Sequence, residues 1–209
     1  MGSSIFSVWR SATRKVSRRV WTMIGLALAV GSLMAGALKA RQVCLPRFRA
    51  VRQGVLYRSG QPRGIGLFWV KWSGIRAVVN LRGPASQGSA AESDYCRRNQ
   101  IGFDALRMAT TGDQLDADVK RFLSVVRDPA NWPVLVHCSR GKERSGVMSA
   151  IFRIEFDRWS NQQALYELYR QGLSPGSMPD AESYVWNYVP TWREMHAGPV
   201  PPPVAVWQE

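Results

Sequence analysis

Apolar residues along this chain come as one long run and many short ones. The long run, VWTMIGLALAVGSLMAGAL over residues 20–38, carries no charge between Arg19 and Lys39. As a helix rising about 1.5 Å per residue, it just covers a hydrocarbon core of about 30 Å. The later runs are shorter and of two kinds. IRAVVNL (75–81) and VLV (134–136) are continuous and rich in β-branched residues, the pattern of strands buried on both faces of a parallel sheet. GVLYRSGQP (54–62) predicts a short strand and turn, and 103–108 a further strand. Helical periodicity is found over 66–74, 91–100, 144–159, 162–171 and 180–195, and over 116–127, where Val119, Phe122, Leu123 and Val126 share one face. GPASQGS (83–89) and GLSPGSMP (172–179) read as loops. Strands alternating with helices predict an α/β fold with a central, mostly parallel sheet flanked by helices. The domain reading is a basic N-terminal segment over 1–41, a catalytic-type domain over 46–195 and a disordered proline-rich tail over 196–209.

Charge changes the picture of the N-terminus. Of the 28 Lys and Arg in 209 residues, fifteen precede Glu92, the first acidic residue, and the net charge is +13. A nucleic-acid-binding protein carries its basic patch on the folded core, whereas this excess surrounds an apolar segment, so the expected partner is a membrane and not nucleic acid. Basic residues lie on both sides of the segment, and the positive-inside rule therefore assigns no orientation. A retained single-pass anchor is preferred. A cleaved export signal is the alternative, because Ala35-Gly36-Ala37 supplies small residues for cleavage and Ser17-Arg18-Arg19 is similar to a twin-arginine signal.

The chemistry concentrates in VLVHCSRGKERSG, residues 134–146. It reads as a strand ending near His137, a tight loop from Cys138, and a helix beginning near Arg144. A helix that starts at the carboxyl end of a strand offers free N–H groups and a positive dipole end to an anion. Cys138 at that mouth is favoured as thiolate. Gly141 permits a tight bend with amides turned inward, and Arg144 presents a planar fork to two phosphate oxygens. The candidate anion cradle is thus Ser139, Arg140, Gly141, Lys142, Glu143 and Arg144. His137 reads as structural support of the loop. A mononucleotide P-loop is excluded because the Gly-Lys-Ser/Thr spacing is missing. Cys44, Cys96 and Cys138 have neither zinc-site spacing nor the even count of a disulfide framework, so no metal or other cofactor is expected.

His137-Cys138, Gly141 and Arg144-Ser145 match the Cys-x5-Arg-Ser/Thr signature of cysteine-dependent tyrosine and dual-specificity phosphatases. The stretch resembles most the atypical dual-specificity branch of bacteria, plants and fungi, as do LYRSGQP (56–62), VVNLRG (78–83) and MPDAESYVWNYV (178–189). The resemblance implies a dual-specificity-phosphatase-like fold and a two-step reaction without metal: Cys138 takes the phosphoryl group, water releases it, Arg144 and the loop amides stabilise the transition state, and Ser145 assists the departure of Cys138. It implies a phosphorylated protein or an inositol phosphate as substrate.

The general acid departs from the family pattern. Where an Asp usually follows the strand, this chain reads Met108-Ala109-Thr110-Thr111, and Asp113 is the nearest carboxylate. Asp116 is expected as a helix N-cap and Asp118 on a solvated helix face. The alternatives for the whole protein are a protein phosphatase, an inositol phosphate or phosphoinositide phosphatase, and an idle phosphate-binding module that keeps the loop.

Overall fold

The structure is a computed structural model that describes residues 18–109 and 112–194. The basic residues before Arg18, Ser17 of the export-type motif, Thr110, Thr111, Met195 and the proline-rich tail lie outside the described residues. The chain divides into two units, Met1–Ala40 and Arg41–Glu209. The described part of the first is helical. Its helix, α1, spans Arg18–Cys44 and continues past the apolar run through Lys39, Arg41 and Gln42 into the second unit. Its apolar side chains, among them Trp21, Leu28 and Leu33, are exposed.

The second unit is built on a five-stranded sheet, with β1 Arg49–Arg52, β2 Leu56–Ser59, β3 Ala77–Asn80, β4 Gly102–Ala105 and β5 Val134–His137. Their order is β1-β2-β5-β3-β4, with β1 antiparallel to β2 and every other pair parallel. Successive strand residues face opposite sides. Leu56, Ala77, Val79, Val134 and Val136 pack on one face against α4 Gly112–Arg127, α5 Arg144–Phe156, α6 Asn161–Arg170 and α7 Pro179–Asn187. Val78 and Leu135 pack on the other against Val70 of α2 Gly66–Trp72 and Cys96 of α3 Ser89–Arg98. A last short helix, α8, covers Thr191–Glu194.

Several boundaries differ from the sequence expectation for identifiable reasons. β1 was not expected: three of its residues are exposed or half-buried and only Val51 reaches the core, as suits a charged edge strand. β4 is shorter than expected: the Leu106 N–H to Asn80 O is the last rung of its parallel ladder, and beyond it Arg107 forms an isolated antiparallel bridge with Arg82. α4 starts four residues before 116, since Leu115 already belongs to its buried face. Asp116 is consequently inside the helix, where it accepts from Tyr184 Oη and pairs with Lys120, and is no N-cap. Asp118 is buried, not solvated, and accepts from the Ala109 N–H at 3.0 Å. α5 ends at Phe156, and Arg158 beyond it has φ +58°. The helix expected over 180–195 is broken: Pro190 lacks an N–H and excludes helical geometry at Val189, leaving α7 and α8 separate.

Phe122 is fully buried between α4 and the sheet. Phe122→Ala leaves a cavity there and should cost about 3–5 kcal/mol of stability, read from the shift in a urea unfolding midpoint.

Candidate active site

The carboxyl ends of the three central strands bring Ser59, His137 and Asn80 side by side, because Ser59 and Asn80 are both register partners of His137. All three are buried. The loop that leaves β5 here runs from Cys138 to Glu143, and α5 begins at Arg144.

The carbonyls of the loop are tied outward. Ser139 O accepts from the Gln61 N–H at 3.2 Å, Arg140 O from Arg47 Nη1 at 3.2 Å, and Gly141 O from Arg58 Nη2 at 2.8 Å. A peptide's C=O and N–H point in opposite directions, so these bonds turn the N–H groups of Arg140, Gly141 and Lys142 inward. The Gly141 N–H reaches Cys138 Sγ at 3.2 Å. Gly141 has φ +69°, and a Cβ on it would stand 2.4 Å from Gly60 N, so backbone conformation and space both demand glycine. Glu143 does not cap α5 with its side chain, which instead pairs with Arg140. The first amides of the helix are therefore left for a ligand.

Cys138 Sγ also lies 3.4 Å from Ser145 Oγ. Burial pushes this thiol up, but the Ser145 hydroxyl and the amides of Ser145, Gly141 and Lys142 together outweigh burial and hold it below the ordinary thiol range. Cys96 is the opposite case, pushed up to about 12 by burial and by Glu92. Arg144 enters from the helix start and donates through Nη1 to Leu81 O at 2.8 Å, which fixes its guanidinium at the end of β3. Of the expected phosphate-binding residues, Gly141 and Lys142 bring their amides to the thiol, while the Arg140 side chain pairs with Glu143. Lys142 lays its stem over Gly172.

His137 ends β5, immediately before the loop. Its Nε2 approaches Glu92 Oε1 to 2.9 Å, with both side chains buried, although the approach is out of line with the ring N–H and gives neither atom a well-directed hydrogen bond. Glu92 Oε2 accepts from Asn80 Nδ2 at 3.1 Å and Gln61 Nε2 at 3.3 Å. Asp113 stands exposed in the first turn of α4 and makes no hydrogen bond or ion pair among the described residues.

Arg58 and Glu92 were not singled out from the sequence. Arg58 is 2% exposed, and its Nε and Nη1 have no partner. Burial lowers its pKa to about 10, against the attraction of Cys138 and Glu167. The signal was its place two residues after Leu56 in the predicted strand, on the same face, where an arginine needs a buried acceptor. Beside the loop opens a cavity of about 530 Å³ whose lining includes Gln61, Arg63, Leu67, Arg82, Glu92 and Ser139.

A thiol among inward amides at the start of a helix is a place suited to an anion, and comparison with known proteins assigns the family. The family model described as DSP-PTPase phosphatase fused to NAD+ kinase matches residues 46–184. The chain belongs to the DSP-PTPase phosphatase family. It is a cysteine-dependent phosphatase of the tyrosine and dual-specificity type, a hydrolase. The phosphatase is 29% identical over 184 residues to the dual specificity protein phosphatase TpbA of Pseudomonas aeruginosa (strain UCBPP-PA14), with 79% of each chain covered. It is 34% identical over 136 residues to inositol diphosphatase DSP1 of Oryza sativa subsp. japonica, covering 64% of this chain and 60% of that protein. Among solved structures, P. aeruginosa TpbA matches at 25% identity and TM-score 0.55, over 69% of this chain and 92% of that one. The catalytic core of the S. cerevisiae phosphatase Siw14 shares the fold at TM-score 0.56 and 23% identity, over 68% and 85%.

Arg58→Met removes the donor that holds Gly141 O outward. A buried charged hydrogen bond is worth about 1.5–3 kcal/mol, so kcat/KM for an aryl phosphate should fall roughly ten- to hundredfold. Arg58→Lys, which keeps the charge, should recover part of the loss.

Proposed function

We propose that Cys138 is the nucleophile of this phosphatase, and the observation that carries the proposal is the inward set of amides around its sulfur. The thiolate attacks phosphorus in line, the P–O bond to the leaving group breaks, and the leaving oxygen takes up a proton. Water then attacks the phosphocysteine, inorganic phosphate departs, and the thiolate returns. Arg144 and the N–H groups of the loop accept the charge spread over the three equatorial oxygens. Ser145 donates to the returning thiolate. Asp113 is the proposed proton donor, supported by its exposed carboxylate in the first turn of α4, the helix that follows β4 in the chain. The presence of Cys138, Arg144 and Ser145 together supports an active enzyme over the idle-module reading.

Phosphorylated protein is the first substrate reading, supported by the likeness to a dual specificity protein phosphatase. Inositol phosphates are the second. The observation favouring them is the cavity beside Ser139, lined by Arg63 and Arg82, together with the likeness to an inositol diphosphatase. The apolar helix Val20–Cys44 is proposed as a membrane anchor, with a cleaved signal as the alternative.

Cys138→Ser and Arg144→Ala should each lower aryl phosphate turnover by several powers of ten, while a metal chelator leaves it unchanged. Full activity in Cys138→Ser rejects the mechanism. The thiol titrates below the ordinary range, so iodoacetamide alkylation of Cys138 should rise with pH and level off at a lower pH than for an ordinary cysteine. Ser145→Ala removes a hydrogen bond to the thiolate and should move that rise to higher pH. For substrate class, Arg140→Ala with Lys142→Ala should depress kcat/KM for an inositol polyphosphate more than for an aryl phosphate. Equal losses return phosphoprotein to sole first place.

A further inference from the structure

Helix α2 carries an exposed apolar ridge that the catalytic site does not use. Ile65, which caps the helix, Phe68 and Trp72 follow at spacings of three and four residues and so share one face. They are 53%, 54% and 69% exposed. Single exposed apolar residues are ordinary, but three on two turns form a patch. The patch is also rigid: Trp69, which packs on the core, meets Phe68 and Trp72 edge to face with ring centroids at 5.7 and 5.5 Å. Gly66 and Val70 fill the buried side of the helix, and Leu67 lines the cavity beside the Cys138 loop.

Two further observations say what covers this face. The first is where the chain arrives. The Arg63 N–H donates to Cys44 O at 2.7 Å, and a Cβ on Gly66 would collide with that carbonyl at 2.3 Å. The start of α2 therefore sits directly on Cys44, the last residue of the apolar helix. The second is charge. Arg63, Lys71 and Arg76 around the ridge are exposed, and the Lys71 bond to Asn99 Oδ1, 2.8 Å, brings up the basic end of α3 with Arg97 and Arg98. No acidic residue occurs anywhere before Glu92.

We propose that Ile65, Phe68 and Trp72 lie in the interfacial layer of an anionic lipid bilayer, next to the point where α1 enters it. The inference rests on the anchor reading of α1. Tryptophan and phenylalanine prefer the headgroup boundary, and lysine and arginine around them are drawn to anionic lipid. The contact fixes how the phosphatase domain stands on the membrane, with the cavity at Leu67 opening beside the lipid surface.

The test uses the full chain with Cys44→Ser and Cys138→Ser, reconstituted into phosphatidylcholine–phosphatidylserine vesicles. A nitroxide is attached in turn at Leu28→Cys, Phe68→Cys, Trp72→Cys and, as an aqueous control, Tyr166→Cys on α6. Collision rates with oxygen, which concentrates in lipid, and with a water-soluble nickel chelate are then measured. The oxygen-to-chelate ratio should be severalfold higher at 68 and 72 than at 166, and highest at 28. A lipid-like ratio at 28 with the control's ratio at 68 and 72 overturns the interfacial face while leaving the anchor intact. An aqueous ratio at 28 removes the anchor and this inference together. Labels at 68 and 72 shielded from both reagents and broadened by a neighbouring label show a second copy on the ridge, which also overturns it.

Discussion

The carbonyl groups of Ser139, Arg140 and Gly141 all point away from Cys138, and the rest of the site depends on that orientation. Peptide planarity converts three outward acceptors into three inward donors. The anchors come from the segment around β2: Arg47 just before β1, Arg58 within β2, and Gln61 just after it. That segment is held in turn by the parallel pairing of β2 with β5. The Cys138 loop is thus shaped by a strand 83 residues away in sequence, and the glycine at 141 is there because the two backbones come too close for any side chain.

The same arrangement explains the electrostatics. A buried guanidinium is costly, and Arg58 is held with two of its nitrogens unpartnered. Attraction to Cys138 and Glu167 and the Nη2 bond to Gly141 O offset only part of that cost, and its pKa stays lowered to about 10. At the thiol itself the Ser145 hydroxyl and the amides of Ser145, Gly141 and Lys142 act at short range, which is why it ends below its ordinary range despite burial. Beneath the sheet end, Glu92 is 1% exposed, yet Asn80, Gln61 and His137 surround its carboxylate.

Much of this was legible in the sequence because it is written in short-range pattern. The buried strands at 75–81 and 134–136, the α4 face and the Cys138 loop all follow from residues close together in the chain. What escaped depends on contacts between distant segments. β1 has a single inward side chain, so no periodicity marks it. Arg58 reads as one more base in a basic stretch until Gly141 is placed against it. Asp118 has the polar look of a surface residue, and only the folded chain shows its carboxylate receiving Ala109. Pro190 was visible, but the strong pattern on both sides of it masked the break.

The strand order has a consequence for how the molecule reaches this state. β5 lies between β2 and β3, both of which come far earlier in the chain. Until residues 134–137 arrive, the β1-β2 hairpin and the β3-β4 pair are separate pieces, each with an open edge. Insertion of β5 is a closure over long loops, and such non-local pairing is the slow part of folding. During synthesis the Cys138 loop therefore gains its shape only when the sheet is wedged shut, and an incomplete chain presents an ordinary thiol instead of an activated one.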